Sequence, residues 1–350
     1  MDRVKRNFGF GCMRLPMKDG EVNYAEFNRM IDTFIEAGFN YFDTAHGYID
    51  GKSEKAVRDC LASRYPRDRF ILANKLSDWF FKTGEEVRPL FEEQLKLTGV
   101  EYFDFYLFHA LDRESYEKHK ACNSFKTVSE LKAEGKVRHI AMSFHDTADV
   151  LDRILSEQPQ IETVQLQINY LDYDDPTVQS KACYDVAVKH GKKVIVMEPV
   201  RGGRLVNLPD AARDVFNELG GGSPVSYALR YAASYPEVFM VLSGMGSLDM
   251  VKENIKTMFP FVPLDERELE ATDKAREIIR KYNQIPCTGC RYCTEVCPKG
   301  VPINELFDIL VLSCITTKTS DIQSSNAFSP IFSRDAGRRI SLRLTQPQNA

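Results

Sequence analysis

Short apolar runs recur about thirty residues apart along most of the chain, each followed by a stretch whose apolar positions repeat at helical spacing. The runs at 8–13, 39–44, 70–75, 103–109, 137–143, 163–169, 193–198 and 238–243 predict eight strands. They are rich in Val, Ile, Phe and Tyr and apolar on both faces, as parallel strands covered by helices must be. Helical spacing fills the intervals at 24–37, 53–63, 85–97 and 176–190, with Ser53 before Glu54 reading as an N-cap. Gly220, Gly221 and Gly222 split the seventh helical region in two, and a helix over 249–258 completes the set. Pro260 and Pro263 punctuate the chain before a charged helix at 266–281. Eight such units predict an α/β fold of the (β/α)8 TIM-barrel class. No GxGxxG follows a strand, which argues against an open doubly wound sheet.

Composition narrows the functional classes. The chain has 350 residues, 43% hydrophobic and 27% charged, the balance of a globular protein, with a net charge of -4. No block of Lys and Arg suggests a nucleic-acid partner. The charged start MDRVKRNF lacks an apolar stretch behind it, and no run approaches membrane-spanning length, so a cytoplasmic protein is expected.

Barrel chemistry collects at the C-terminal ends of the strands. Here those ends carry Asp43 with Tyr48 in the following loop, then Lys75, then His109. Taken singly, each has a bland explanation: a strand-end cap, a loop tyrosine, a snorkelling lysine, a core histidine. Together they form a set. A lysine closing an apolar strand needs a partner, for which Asp43 is the natural candidate, and a phenol beside that pair would feel its positive charge. The aromatic run Trp79, Phe80 and Phe81 suits either a substrate pocket or ordinary packing.

The segments FDTAHGY, LANKL and LFHA resemble the aldo/keto reductase superfamily. The resemblance implies that Tyr48 is the general acid, tuned by Lys75 and Asp43, while His109 orients a substrate carbonyl. It also implies an extended nicotinamide cofactor, NADP or NAD, with Ser143 and Gln165 at the carboxamide. Met197, Glu198, Gly202 and Gly203 belong to the loop over the nicotinamide and pyrophosphate, and Ser243, Gly244, Glu253 and Asn254 to the adenosine end. Gly244 and Met250 stand where Lys and Arg often hold a 2′-phosphate, which leaves the choice of cofactor open.

Nine cysteines divide into two kinds. Cys12, Cys60, Cys122 and Cys183 stand singly in periodic segments, as small buried hydrophobes do. Cys287, Cys290, Cys293 and Cys297, followed by Pro298, have the spacing of a bacterial ferredoxin run and favour an iron–sulfur cluster over zinc. Either Cys297 closes a single [4Fe–4S] cluster or the module is incomplete, with Cys314 standing apart. The resemblance extends to a subfamily with a ferredoxin-like, mainly helical extension, giving an expected barrel over 1–262, a cluster module over 263–314 and a poorly ordered tail over 315–350.

The expected function is hydride transfer between NAD(P)H and a small carbonyl or alcohol substrate, with an accessory iron–sulfur centre and an electron-transfer partner for it. The alternative is a weakly catalytic or non-catalytic nicotinamide-binding module that senses redox state or binds a partner.

Overall fold

The computed structural model describes residues 1 and 3–282, together with Thr294, residues 297–303, Leu306 and Phe307. Eight parallel strands close into a barrel in chain order: β1 (Phe8–Gly11), β2 (Tyr41–Asp43), β3 (Ile71–Leu76), β4 (Phe103–Leu111), β5 (Val137–Phe144), β6 (Thr163–Gln167), β7 (Lys193–Met197) and β8 (Val238–Gly244). β1 pairs with both β2 and β8, so the ring has no open edge. Each predicted strand overlaps one of these.

Helices α1 (Tyr24–Glu36), α2 (Lys52–Val57) and α3 (Val87–Thr98) follow the first strands. α4 (Arg113–Ala121) and α5 (Ser124–Ala133) together follow β4; α6 (Ala148–Glu157) and α7 (Ser180–Lys189) follow β5 and β6. The triglycine does separate two helices, α8 (Asp210–Asn217) and α9 (Pro224–Ala233), and α10 (Leu248–Met258) follows β8. One local reading is corrected. Ser53 lies inside α2, whose cap is the left-handed Gly51; the Ser53 hydroxyl instead donates to the Cys12 carbonyl at 2.9 Å and meets Thr44 Oγ1 at 2.8 Å. Burial of that hydroxyl against two strand ends outweighs its capping preference.

Alternation along the strands sorts side chains into two cores. Tyr41, Ile71, Ala73, Phe105, Leu107, Ala141, Ile195, Met240 and Leu242 fill the barrel interior. The opposite parity, including Phe8, Phe10 and Phe42, packs outward against helices such as Phe27 and Phe34 of α1. Gly9 is small because a Cβ there would lie 2.7 Å from Leu242 and 2.9 Å from Tyr41. The four singly placed cysteines are all buried.

The charged helix is α11 (Glu266–Tyr282). It rests on α8 and α9, burying Ala271, Ala275 and Ile279, with the Arg230–Glu268 pair at 2.6 Å. Packing on the barrel therefore continues well past residue 262. Cys287, Cys290, Cys293, Cys314 and the 315–350 tail lie outside the described residues.

His119 of α4 is wholly buried among the rings of Phe81, Phe108 and Phe125, and neither ring nitrogen has a partner among the described residues. Burial holds its ionisation down at about 3. An unfolded chain takes up that proton near pH ~6.5, the native protein only near 3, so stability is lost as pH falls through this window. His119→Phe should flatten the fall between pH 7 and pH 5 by roughly 2 kcal/mol in denaturant titrations.

Candidate active site

The interior parity explains how the site is assembled. Asp43 is the next inward position above Tyr41, Lys75 the next above Ala73, and His109 the next above Leu107. An apolar column thus ends at the rim in three ionisable groups. Asp43 and Lys75 are 3% and 1% exposed and form a direct ion pair; Lys75 Nζ also donates to the Thr44 carbonyl at 2.9 Å. Burial pushes the Asp43 carboxyl up against the opposing pull of Lys75. Its second oxygen, Oδ2, is buried without a hydrogen-bond partner among the described residues.

Tyr48 reaches the same place from the β2 loop. Lys75 Nζ lies 4.8 Å from its ring centroid, and the His109 ring is 5.9 Å away at 75°. His109 is held neutral: burial, then Lys75 and His145, keep its ionisation well below the usual imidazole value. Ser77 Oγ, 2.6 Å from Nδ1, fixes the ring. The strand bends here, with a register shift after Phe108 and Ala110 at φ 52°. Ser143 Oγ accepts the Ala110 N–H at 2.7 Å, so the predicted carboxamide ligand also braces the His109 end of β4. The aromatic run divides: Phe81 is core, whereas Trp79 and Phe80 are 49% and 41% exposed, and the Trp79 ring stands 5.0 Å from His109.

One cleft joins these groups to the cofactor candidates. Asp43 and Tyr48 share its lining with Gln165, Met197, Glu198, Gly202, Ser243 and Gly244. A roomier hollow, about 210 against 90 Å³, opens between the ends of β5 and β6, but none of the predicted catalytic or cofactor residues lines it. The cleft suits a flat, phosphate-bearing ligand in its donor set. Met197 and Leu242 offer apolar surface beside the Gln165 amide, and Arg14, Gly202 and Gly244 line the same cleft, whereas the predicted Gly203 does not. Not every adenosine-end candidate faces it. Asn254 is buried and donates to Ser243 Oγ at 3.2 Å, while Glu253 accepts from Ser223 at 2.6 Å in a separate surface hollow.

Several contributors were not anticipated. Arg14 lays its stem across Gly244, whose Cβ position is 3.4 Å from it, and its guanidinium is 3.9 Å from Glu198. Burial raises the Glu198 carboxyl against that pull. Beneath the β7 loop, Arg201 Nε bonds both oxygens of Asp172 at 2.9 and 3.0 Å, and both residues are buried. Gln167 and Asn169 donate to the same carboxylate, and Asn169 also donates to the Glu198 carbonyl at 3.1 Å. Glu198 and Arg201 both have left-handed backbone, φ 54° and 49°, which this network holds in place. A polar residue two places beyond Gln165 on the same parity was the available signal.

Of the cysteine run only Cys297 is described. Its Sγ accepts the Val301 N–H at 3.4 Å, and the backbone amides of Val301 and Lys299 hold the thiol below its usual value. No group of metal-binding side chains is found among the described residues.

The aldo/keto reductase family profile matches residues 7–277. L-Galactose dehydrogenase of Arabidopsis thaliana is 26% identical over 294 residues, covering 78% of this chain and 91% of that protein. The NADH-specific methylglyoxal reductase of Escherichia coli is 24% identical over 275 residues, covering 65% and 82%. In structure, the holo form of an aldo-keto reductase from Bacillus halodurans superposes with a TM-score of 0.64 at 24% identity, over 77% of this chain and 92% of that one. An NADPH complex of a Klebsiella pneumoniae aldo-keto reductase gives 0.61 at 21%, over 77% and 90%. With the profile spanning most of the chain and the barrel closed as described, the chain belongs to the aldo/keto reductase family and is an NAD(P)H-dependent oxidoreductase.

Proposed function

We propose that this protein reduces a small carbonyl compound to an alcohol, or runs the reverse, with Tyr48 as the general acid. The observation that carries the reading is the convergence of Asp43, Lys75, Tyr48 and His109 on one rim, two of them lining a cleft shared with Gln165, Met197 and Gly202. A bound nicotinamide, NADPH or NADH, would supply the hydride to the carbonyl carbon. Tyr48 gives its phenolic proton to the carbonyl oxygen as negative charge grows there. Lys75 is the nearby cation that steadies the phenolate left behind, and Asp43 keeps that ammonium seated. Neutral His109 orients the carbonyl, and half-exposed Tyr48 recovers its proton from water. The Klebsiella relative solved with NADPH and the NADH-specific Escherichia coli relative support a nicotinamide in this cleft without choosing between the two.

The cysteine run at 287–297 makes an accessory [4Fe–4S] centre part of the proposal, resting on spacing and on the N–H donation to Cys297. Electrons from that centre would need a partner protein. The cluster reading, and the domain division at 262 and 314, stand apart from the barrel chemistry.

Three measurements test these assignments. Tyr48→Phe should lower kcat by ~100-fold or more on any carbonyl the wild type turns over, with cofactor affinity by fluorescence titration nearly unchanged. Asp172→Asn should loosen the β7 loop and raise the cofactor Kd by roughly tenfold, because Arg201 is left buried without its carboxylate. Protein prepared without oxygen should contain iron and sulfide that Cys290→Ala abolishes; their absence from wild type would remove the cluster.

A further inference from the structure

A chain of hydrogen bonds, buried except at its half-buried first link, joins the backbone that carries Tyr48 to the backbone that carries Lys75. It begins at His46, two residues before the phenol, whose Nδ1 lies 2.8 Å from Glu54 Oε2. Glu54 of α2 has no exposed surface, and its Oε1 accepts from Asn74 Nδ2 at 2.7 Å. Asn74 Oδ1 in turn accepts the Lys75 N–H at 2.8 Å. Gln94 of α3 donates to that same oxygen at 3.3 Å and to the Lys75 carbonyl at 2.9 Å. Both backbone polar groups of Lys75 are therefore engaged.

At the other end, the turn bearing Tyr48 is folded on itself, with the N–H groups of Gly47 and Tyr48 both 3.2 Å from the Ala45 carbonyl. It is anchored by the Ser53 N–H to the Tyr48 carbonyl at 3.2 Å and by two contacts around His46. Its ring packs edge-on to Phe80 at 4.7 Å, and a Cβ on Gly47 would sit 2.9 Å from the same ring. A carboxylate sealed from water is costly without a counter-charge, and the ionisable side chain bonded to Glu54 is His46.

We propose that His46 is a positioning residue: through Glu54 and Asn74 its imidazolium holds the Tyr48 turn in register with the strand that carries Lys75. The inference rests on the roles proposed above for Tyr48 and Lys75. The Glu54 hydrogen bond holds the His46 ionisation above its ordinary value against the effect of burial, and Glu93 of α3 acts in the same direction. The neighbouring Asp78–Phe80 turn contributes the Phe80 ring, its own carboxylate being 3.5 Å from Lys118. The clasp is fully charged below the ordinary imidazole value, and as pH rises through the raised one it loses that charge and keeps only a neutral hydrogen bond. Turnover should decline along that limb.

The test uses the full-length protein with His46→Phe, which removes the clasp, and His46→Asn, which keeps an N–H where Nδ1 stood but carries no charge. His46→Phe should lower kcat roughly tenfold with NAD(P)H affinity within about twofold. His46→Asn should recover only the part of kcat that the wild type keeps at the alkaline end, and should lack the alkaline limb. Amide hydrogen exchange at Gly47, Tyr48 and Lys75 reads the same chain without turnover, fastest in His46→Phe and between that and wild type in His46→Asn. Wild-type kcat, pH profile and exchange in a folded His46→Phe would overturn the inference, as would an unchanged limb in His46→Asn. If His46→Phe does not fold, the limb in His46→Asn decides alone. Should the wild type turn over no carbonyl while the exchange rates still separate, the proposed reaction fails and the positioning role stands.

Discussion

The site depends on one ion pair placed where water cannot reach it. Asp43 and Lys75 are nearly sealed at the top of an apolar column, and neither is tolerable there without the other. Such a pair is weak evidence for stability, because the cost of drying two charges offsets much of their attraction. Its physical consequence is a fixed positive charge beside the Tyr48 ring. The strand register, the closed ring and the small residues of the interior all serve to hold that charge in one place.

Two further networks act on the loops rather than on the strands. Asp172 and Arg201 hold the β7 loop in a left-handed conformation from below, with Asn169 gripping the Glu198 carbonyl. His46 and Glu54 hold the β2 turn from the side. Loop residues would otherwise be the mobile part of a barrel rim. Here each of these two loops is tied to a buried carboxylate, and each carboxylate is tied to a strand or strand end.

Much of this was legible in the order of residues. The eight strands followed from apolar runs at regular intervals, and Asp43, Lys75 and His109 followed from polar residues ending those runs. All three also fall on the parity of the interior column, which marks them as a set. The networks were not legible. Asp172 and Arg201 lie 29 residues apart, and Glu54 and Asn74 20 apart, so their pairing exists only once strands are side by side. Ser53 misled because a capping preference is local while its actual partners, Thr44 and Cys12, lie on other elements.

The apolar column below the rim has an effect on timing. Ala73, Leu107 and Met240 carry no dipoles that swing when a charge arrives, and the one phenol beside them, Tyr41, is sealed from water. The field felt by a substrate is therefore established when the chain folds, not when the ligand lands, and little reorganisation energy is left to be supplied during the reaction.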